Sequence, residues 1–462
     1  MLRIITTLFV LTRLLFVAQA QSVIPADVKE NIKQRVDSGQ HPGIVVGMID
    51  GDKTEYYSYG VKSLVGKESM DEHTVFEIGS ISKTFTAILL ADQVVKKKMN
   101  LDDPLQKYLP QGVTAPTRNG VSIKLVNLAN HTSSLSRMPD NFKPANPANP
   151  YADYSEKQLY DFLQRYVLPR DIGSQYEYSN YAVGLLGHVL ATQQHTTYEA
   201  LMVAVIAKPL GMEDTRVVFT PAMKKNLAMG HADGIQVENW DLPTLAGAGA
   251  IRSTAADMLK YLSANMGKTQ SKLYPAMQLA HQHSRPEGAI PMVGLGWHMS
   301  NAGTHELILH SGGTGGYRSF AGFVKDGTRG VVVLTNSTAS ADDIGMHLLN
   351  PSAPLVDPKA STANAGAQTQ EVVVDEATLE TYVGEYELMP GFILTVTRAG
   401  TQLNAQATGQ GQFPVYAKSK NIFFYKVVAA QLTFNPSAAG VIESVTLNQG
   451  GQQIVGKKMV KK

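Results

Sequence analysis

A change of hydrophobic period across residues 351–370 is the feature that most limits how this 462-residue chain can fold. There the sequence turns small, polar and proline-containing: Pro351, Pro354 and Pro358 are followed by residues 361–370 with no periodic apolar pattern. That composition suits a linker. Beyond it, Phe392, Leu394 and Val396 alternate with Ile393, Thr395 and Thr397, and Leu403, Ala405 and Ala407 alternate with Gln402, Asn404 and Gln406. Period two broken by turns such as Arg398-Ala399-Gly400 predicts an antiparallel meander, so residues 371–462 are expected to form a small all-β barrel or sandwich. Before the linker the periods mix. Ile81, Phe85, Ile88, Leu89 and Val95 follow helical spacing, and Lys96-Lys97-Lys98 sits where cations favour the negative end of that helix. Residues 306–309, 320–324 and 330–335 read as consecutive short strands, giving an α+β fold with an antiparallel sheet.

The first twenty residues stand apart from this pattern. Arg3 leads an apolar run over residues 4–17, and Ala18-Gln19-Ala20 places small residues at both recognition positions of a cleavage site. A cleaved signal peptide over residues 1–20 is therefore expected, with a retained anchor as the alternative because Arg13 interrupts the run. The expected organisation is a leader at 1–20, an α+β domain at 21–350, a linker at 351–370 and an all-β domain at 371–462. No later stretch approaches the roughly 20 apolar residues of a spanning helix, so no membrane span is expected in the mature chain. The 41 basic and 39 acidic side chains nearly cancel, which leaves no field to recruit nucleic acid. Without cysteine the chain has no disulfide or thiolate chemistry. The sequence specifies no oligomeric state.

Three stretches carry candidate chemistry. In Ser80-Ile81-Ser82-Lys83 a serine precedes a lysine by three residues at a helix start, so both side chains share a face. A serine hydroxyl needs a base, and a partly desolvated amine can be one; the helix N-terminus adds N–H groups for an oxyanion. The same pattern also suits a helix cap followed by an exposed lysine. Tyr178 and Asn180 lie two apart in a short polar stretch before a helical pattern at Tyr181, Leu185, Leu186, Val189 and Leu190. A tyrosine near a lysine can have its pKa lowered enough to relay a proton, and an asparagine amide can bind a substrate carbonyl. Capping by Asn180 beside a partly buried Tyr178 fits equally. The third stretch is His310-Ser311-Gly312-Gly313-Thr314-Gly315-Gly316, directly after the 306–309 strand. Its glycines let backbone approach a ligand closely, with the Gly313 N–H as a candidate oxyanion donor, or they form a plain hairpin turn. A nucleotide loop is disfavoured because no Lys-Ser/Thr terminus or βαβ unit accompanies it. His281, His283, His298, His305 and His310 invite a zinc reading, but no helical His-Glu-x-x-His pattern supports one, and no metal or cofactor is expected.

The order and spacing of the three stretches resemble the penicillin-recognising serine hydrolases: class C β-lactamases, D-alanyl-D-alanine carboxypeptidases, and related esterases and D-amino-acid peptidases. The likeness extends through Phe76-Glu77-Ile78-Gly79, Leu101-Asp102-Asp103-Pro104, Asn130-His131-Thr132-Ser133, Pro209-Leu210-Gly211-Met212, Ser253-Thr254-Ala255-Ala256-Asp257-Met258, Gly294-Leu295-Gly296-Trp297 and Gly315-Gly316-Tyr317, over roughly residues 25–350. It implies an antiparallel sheet flanked by helices beside an all-helical lobe, with the site between them. It also implies Ser80 as nucleophile, proton transfer shared by Lys83 and Tyr178, substrate binding by Asn180, His310, Gly312 and Gly313, and an oxyanion held by the N–H groups of Ser80 and Gly313. His310 stands where the β-lactamases carry lysine, as in D-amino-acid peptidases and some esterases. A neutral imidazole would hold a substrate carboxylate less well than an ammonium does. The resemblance points to an exported hydrolase, periplasmic or secreted, that cleaves the amide of a β-lactam or D-amino-acid peptide through an acyl-Ser80 intermediate. A carboxylesterase using the same residues, or a penicillin-binding sensor without turnover, are the alternatives. The all-β domain resembles the lipocalin-like appendage of some of these hydrolases.

Overall fold

The computed structural model describes residues 22–358 and 372–459, apart from 390–391, 408–411, 426–429, 438–439 and 450–451. The expected leader at 1–20 and residues 359–370 of the expected linker lie outside the described residues.

A seven-stranded antiparallel sheet organises the larger part. Its strands are β1 (Gly43–Asp50), β2 (Lys53–Gly60), β3 (Met292–Val293), β4 (His298–Ala302), β5 (His305–Gly313), β6 (Arg318–Val324) and β7 (Arg329–Thr335), in the spatial order β2-β1-β7-β6-β5-β4-β3. The first hairpin thus closes onto the last strand, with Val46 opposite Val333. β1 is apolar almost throughout because both faces of the sheet are covered, and period two sends alternate residues to opposite layers. Ile44, Val46 and Met48 pack with Val28 and Ile32 of α1 (Ala26–Asp37) and with Ile344 and Leu348 of α6 (Asp342–Leu349). Val45 and Ile49 face the opposite way, into the main core with Met258, Leu259 and Leu262 of α5 (Ala255–Asn265).

The helix predicted after Ser80 is α2 (Ser82–Val95), which buries every residue from Ser82 to Gln93. It is a central helix packed on all sides rather than a half-exposed one, as expected of a helix apolar around its whole circumference. Against it pack α3 (Asn180–Gln193) and the short α4 (Ala246–Gly249). Two-residue strands, Phe76–Glu77 and Arg252–Ser253, pair just before the turn that carries Ser80, and the Arg252–Glu77 ion pair at 3.2 Å is fully buried there.

Residues 384–458 form a closed eight-stranded barrel, with each strand hydrogen-bonded to its sequence neighbours and the last returning to the first through Tyr386 and Lys458. The predicted alternation holds: Leu394, Val396, Leu403 and Ala405 point inward, with Phe423, Leu432 and Phe434. The preceding helix, Glu376–Tyr382, contributes Leu379 and Tyr382 to the same interior, where Tyr382 stacks on Phe434 at 4.4 Å. Closure leaves no unpaired edge strand. No helix among the described residues is long and apolar enough to cross a membrane.

The first residues of the expected linker are tied to the larger part. Val356 O accepts from Asn31 and Arg35 on α1, its N–H donates to Asp343 on α6, and Pro358 O accepts from Gln40.

Candidate active site

Ser80 sits in a single 3₁₀ turn, Gly79–Ile81, that runs directly into α2. Lys83, in the first turn of α2, is completely buried, and its Nζ lies 3.1 Å from Ser80 Oγ, 2.8 Å from Asn180 Oδ1 and 2.7 Å from Ala248 O. Burial, reinforced by the nearby Arg137 cation, holds this amine well below the ordinary lysine range. The three partners suit that neutral form. Two are carbonyl oxygens, which only accept, and they take the two N–H bonds of an amine; the lone pair then faces the one partner that can donate, the Ser80 hydroxyl.

Asn180 is the first residue of α3, but the cap is Ser179, whose hydroxyl accepts from Ala182 N at 2.9 Å. The Asn180 side chain is thereby left for Lys83. Tyr178 is hung between two bonds to one residue: His131 O accepts from Glu177 N at 2.8 Å, and His131 Nδ1 accepts from Ser179 N at 3.1 Å. His131 makes both bonds from a left-handed backbone conformation, φ 62°. The Tyr178 ring lies 4.7 Å from Lys83 Nζ and 5.0 Å from the Arg137 guanidinium, and its hydroxyl bonds Ser80. Burial wins over the Ser80 bond and the Arg137 cation and pushes the phenol up to about 12. The expected lowering of its pKa is thus reversed, because desolvation of a phenolate costs more than cations at these distances return.

His310, Gly312 and Gly313 belong to β5, not to a loop after it, because the ladder with β6 continues through His310 opposite Ala321, Gly312 opposite Ser319 and Gly313 opposite Arg318. The turn comes later, between Thr314 and Tyr317. The glycines let β5 lie against the turn that carries Ser80: a Cβ on Gly312 would run into Ile78 O, and one on Gly79 would lie 2.6 Å from Gly313 N. The backbones of Gly79 and Gly313 therefore touch, and Ser80 and Gly313 line one cleft. His310 itself is buried. Its Nδ1–H donates to Ser311 O at 2.6 Å, and burial, together with His298 and Lys83, keeps the ring neutral well below the usual imidazole range. His298 is held at about 4 by burial and Lys83, and its Nε2 meets the Tyr176 hydroxyl at 2.8 Å.

Of the other histidines weighed for zinc, His281 bonds Asn265, His283 bonds Glu306 and His305 pairs with Asp326. Among the described residues no group of three or more His, Cys, Asp and Glu is arranged to hold a metal.

Above Ser80 opens a cleft of about 310 Å³ that Asn180, Gly313, Tyr151, Trp240, Arg137 and Arg318 help to line. Sequence reasoning missed the two arginines. Arg318 reaches the cleft only through its register opposite Gly313, and Arg137 only through the loop whose carbonyl receives Asn180 N at 3.0 Å. A hydroxyl at the cleft, 3.1 Å from a buried amine and bonded by a phenol, is an arrangement that can support acyl transfer.

A family model described as Beta-lactamase matches residues 28–350, and one described as Domain of unknown function (DUF3471) matches residues 368–458. The chain is 27% identical over 345 residues to the Beta-lactamase of Escherichia coli (strain K12), covering 67% of this chain and 88% of that protein. It is 30% identical over 312 residues to the D-alanyl-D-alanine-carboxypeptidase/endopeptidase AmpH of the same strain, covering 64% and 80%. Among solved structures, a class C beta lactamase from Rhodobacter sphaeroides superimposes with a TM-score of 0.61 at 22% identity, over 70% of this chain and 97% of that one.

Proposed function

Because the chain belongs to the β-lactamase family of serine hydrolases, we propose that it cleaves an amide, in a β-lactam or a D-amino-acid peptide, through an ester formed on Ser80. The observation that carries this reading is the buried Lys83, whose Nζ lies 3.1 Å from Ser80 Oγ and is otherwise held by the carbonyl oxygens of Asn180 and Ala248. Lys83 takes the Ser80 proton as Oγ bonds to the scissile carbon, and the N–H groups of Ser80 and Gly313 receive the charge that develops on oxygen. The C–N bond then breaks. The proton returns to the leaving nitrogen through Tyr178, which at about 12 remains a phenol and so always has a proton to give. Water releases the acyl group by the same path in reverse. Asn180, fixed by Lys83 at 2.8 Å, has its amide N–H group against Met138 and Tyr151 at the cleft, and a substrate carbonyl would take over that donor.

A carboxylesterase using the same residues is the second reading, favoured by the neutral, buried His310, which offers no charge to a substrate carboxylate. The family relationship supports an exported enzyme that meets peptidoglycan fragments or their antibiotics in the periplasm or outside the cell.

Turnover of a chromogenic cephalosporin, a D-Ala-D-Ala peptide and a short-chain nitrophenyl ester, with intact-mass detection of the adduct, tests the proposal. Ser80→Ala should lose both adduct and turnover by several orders of magnitude. A Ser80→Ala protein retaining more than about a tenth of wild-type turnover would remove Ser80 from the role.

A further inference from the structure

The barrel is filled by its own side chains. Tyr382 stacks on Phe434 at 4.4 Å, and Phe423 and Tyr386 meet the same ring at 5.6 and 5.8 Å, which leaves the outer wall as the surface a partner can reach. Four consecutive strands make one side of that wall: β8 (Phe413–Ala417), β9 (Ile422–Tyr425), β10 (Ala430–Pro436) and β11 (Ile442–Gln449). Their registers line outward side chains up in rows across the strands. Tyr416 stands opposite Phe424, Phe424 opposite Gln431 and Gln431 opposite Asn448, while in the next row Thr433 stands opposite Thr446. All six are half-buried. Not one residue paired in these three ladders is charged, whereas charged groups make up about a quarter to a third of an ordinary surface. The nearby charges keep to the border: Lys418 and Lys420 in the turn between β8 and β9, Glu443 beside the bulge between β10 and β11, and Lys457 on the last strand.

Such a wall selects its partner by charge as much as by shape. With none of its own it draws neither nucleic acid nor an anionic membrane and gives a charged peptide no counter-ion. Its groups match a sugar chain instead. Carboxamides donate and accept at once, as saccharide hydroxyl and acetamido groups require, and an aromatic ring can take the C–H face of a sugar. Tyr416 and Phe424 supply two rings, 5.9 Å apart, at the head of the row that continues in Gln431 and Asn448. Four strands at a spacing of about 4.8 Å make that row about 14 Å long, more than one sugar ring. Part of the polar surface is fixed in advance: Asn435 donates to Ser444 Oγ at 3.1 Å and to Thr446 Oγ1 at 3.0 Å, which orients both hydroxyls before anything binds. We propose that this wall binds a neutral polysaccharide strand of N-acetylated sugars, laid across β8 to β11 with sugar rings on Tyr416 and Phe424 and acetamido groups on Gln431 and Asn448. The site would hold the enzyme on a glycan and is independent of the reaction at Ser80.

Calorimetric titration of the full-length protein with the hexamer of N-acetylglucosamine, and with cellohexaose, tests the site. The wild type should saturate with the N-acetylated hexamer below about 1 mM and bind it at least about fivefold more tightly than cellohexaose, which lacks the acetamido groups. Phe424→Ala should weaken binding about fivefold or more, and Gln431→Ala and Asn448→Ala each by a similar factor, with the fold checked by circular dichroism. The two polar variants remove only side-chain tips and decide the matter if Phe424→Ala does not fold. Absence of heat at about 5 mM hexamer, equal affinity for cellohexaose, or wild-type affinity in every folded variant would overturn the proposal. So would self-association, measured by sedimentation, that Phe424→Ala abolishes in a protein that binds no hexamer, because the wall would then serve a second copy of the chain.

Discussion

Replacing Gly79 by alanine separates geometry from chemistry at this site, because the change adds one methyl group and removes no functional atom. Gly79 has φ +49°, and an added Cβ would lie 2.6 Å from Gly313 N and 2.8 Å from Gly313 O, where ordinary contact begins near 3.4 Å. The Ser80 turn and β5 must then part by about 0.8 Å, which on the proposed mechanism pulls the Gly313 N–H away from an oxyanion that Ser80 N would still bind. Loss of one such donor costs about a hundred- to a thousandfold in kcat, or roughly 3 kcal/mol, while KM should move far less. The left-handed backbone adds about 1 kcal/mol to the cost of folding. Gly39 supplies the control, since it has φ +77° with nothing within 4 Å of its virtual Cβ. Gly39→Ala should show a similar loss of stability with unchanged kcat. Steady-state kinetics on one ester, with urea denaturation of both variants, completes the assay. A Gly79→Ala enzyme with kcat within about threefold of wild type would refute the shared oxyanion volume.

Three further outcomes follow from the buried groups and the junction. Lys83→Arg should abolish turnover, since a guanidinium cannot give up its proton, and the wild-type kcat/KM should rise with pH through a limb below the ordinary lysine range and stay level toward the Tyr178 value of about 12; a limb near the free-lysine value would exclude Lys83 as base. Burial holds His281 at about 3, so the unfolded chain binds its proton first as pH falls below 6.5 and stability drops over the window from 6.5 to about 3. Between pH 7 and pH 5 the wild type should lose about 2 kcal/mol more than His281→Gln in urea denaturation, and equal losses would count against a neutral buried ring. A chain ended after Pro358 should fold as the catalytic part, whereas one ended at Asn350 should melt lower because α1 and Asp343 lose their bonds to Val356; identical melting would show that residues 351–358 do not stabilise it.

Much of this protein is written in its periodicities and spacings. Alternation around Leu394 and Leu403 determined antiparallel strands, helical spacing after Ser80 determined α2, and the three-residue interval placed Lys83 beside Ser80, because each depends only on neighbours along one element. Tertiary structure decided the rest. How far the Lys83 amine is lowered depends on burial and on the Arg137 cation of a separate loop; the protonation of Tyr178 and His310 depends on how completely water is excluded around them. The two arginines are the clearest case. Arg318 faces the cleft because β5 and β6 pair in one register, and Arg137 because a loop carbonyl receives the start of α3. Local pattern names the groups that can react, whereas desolvation and cross-strand register, which sum over distant segments, set their charge and what they face.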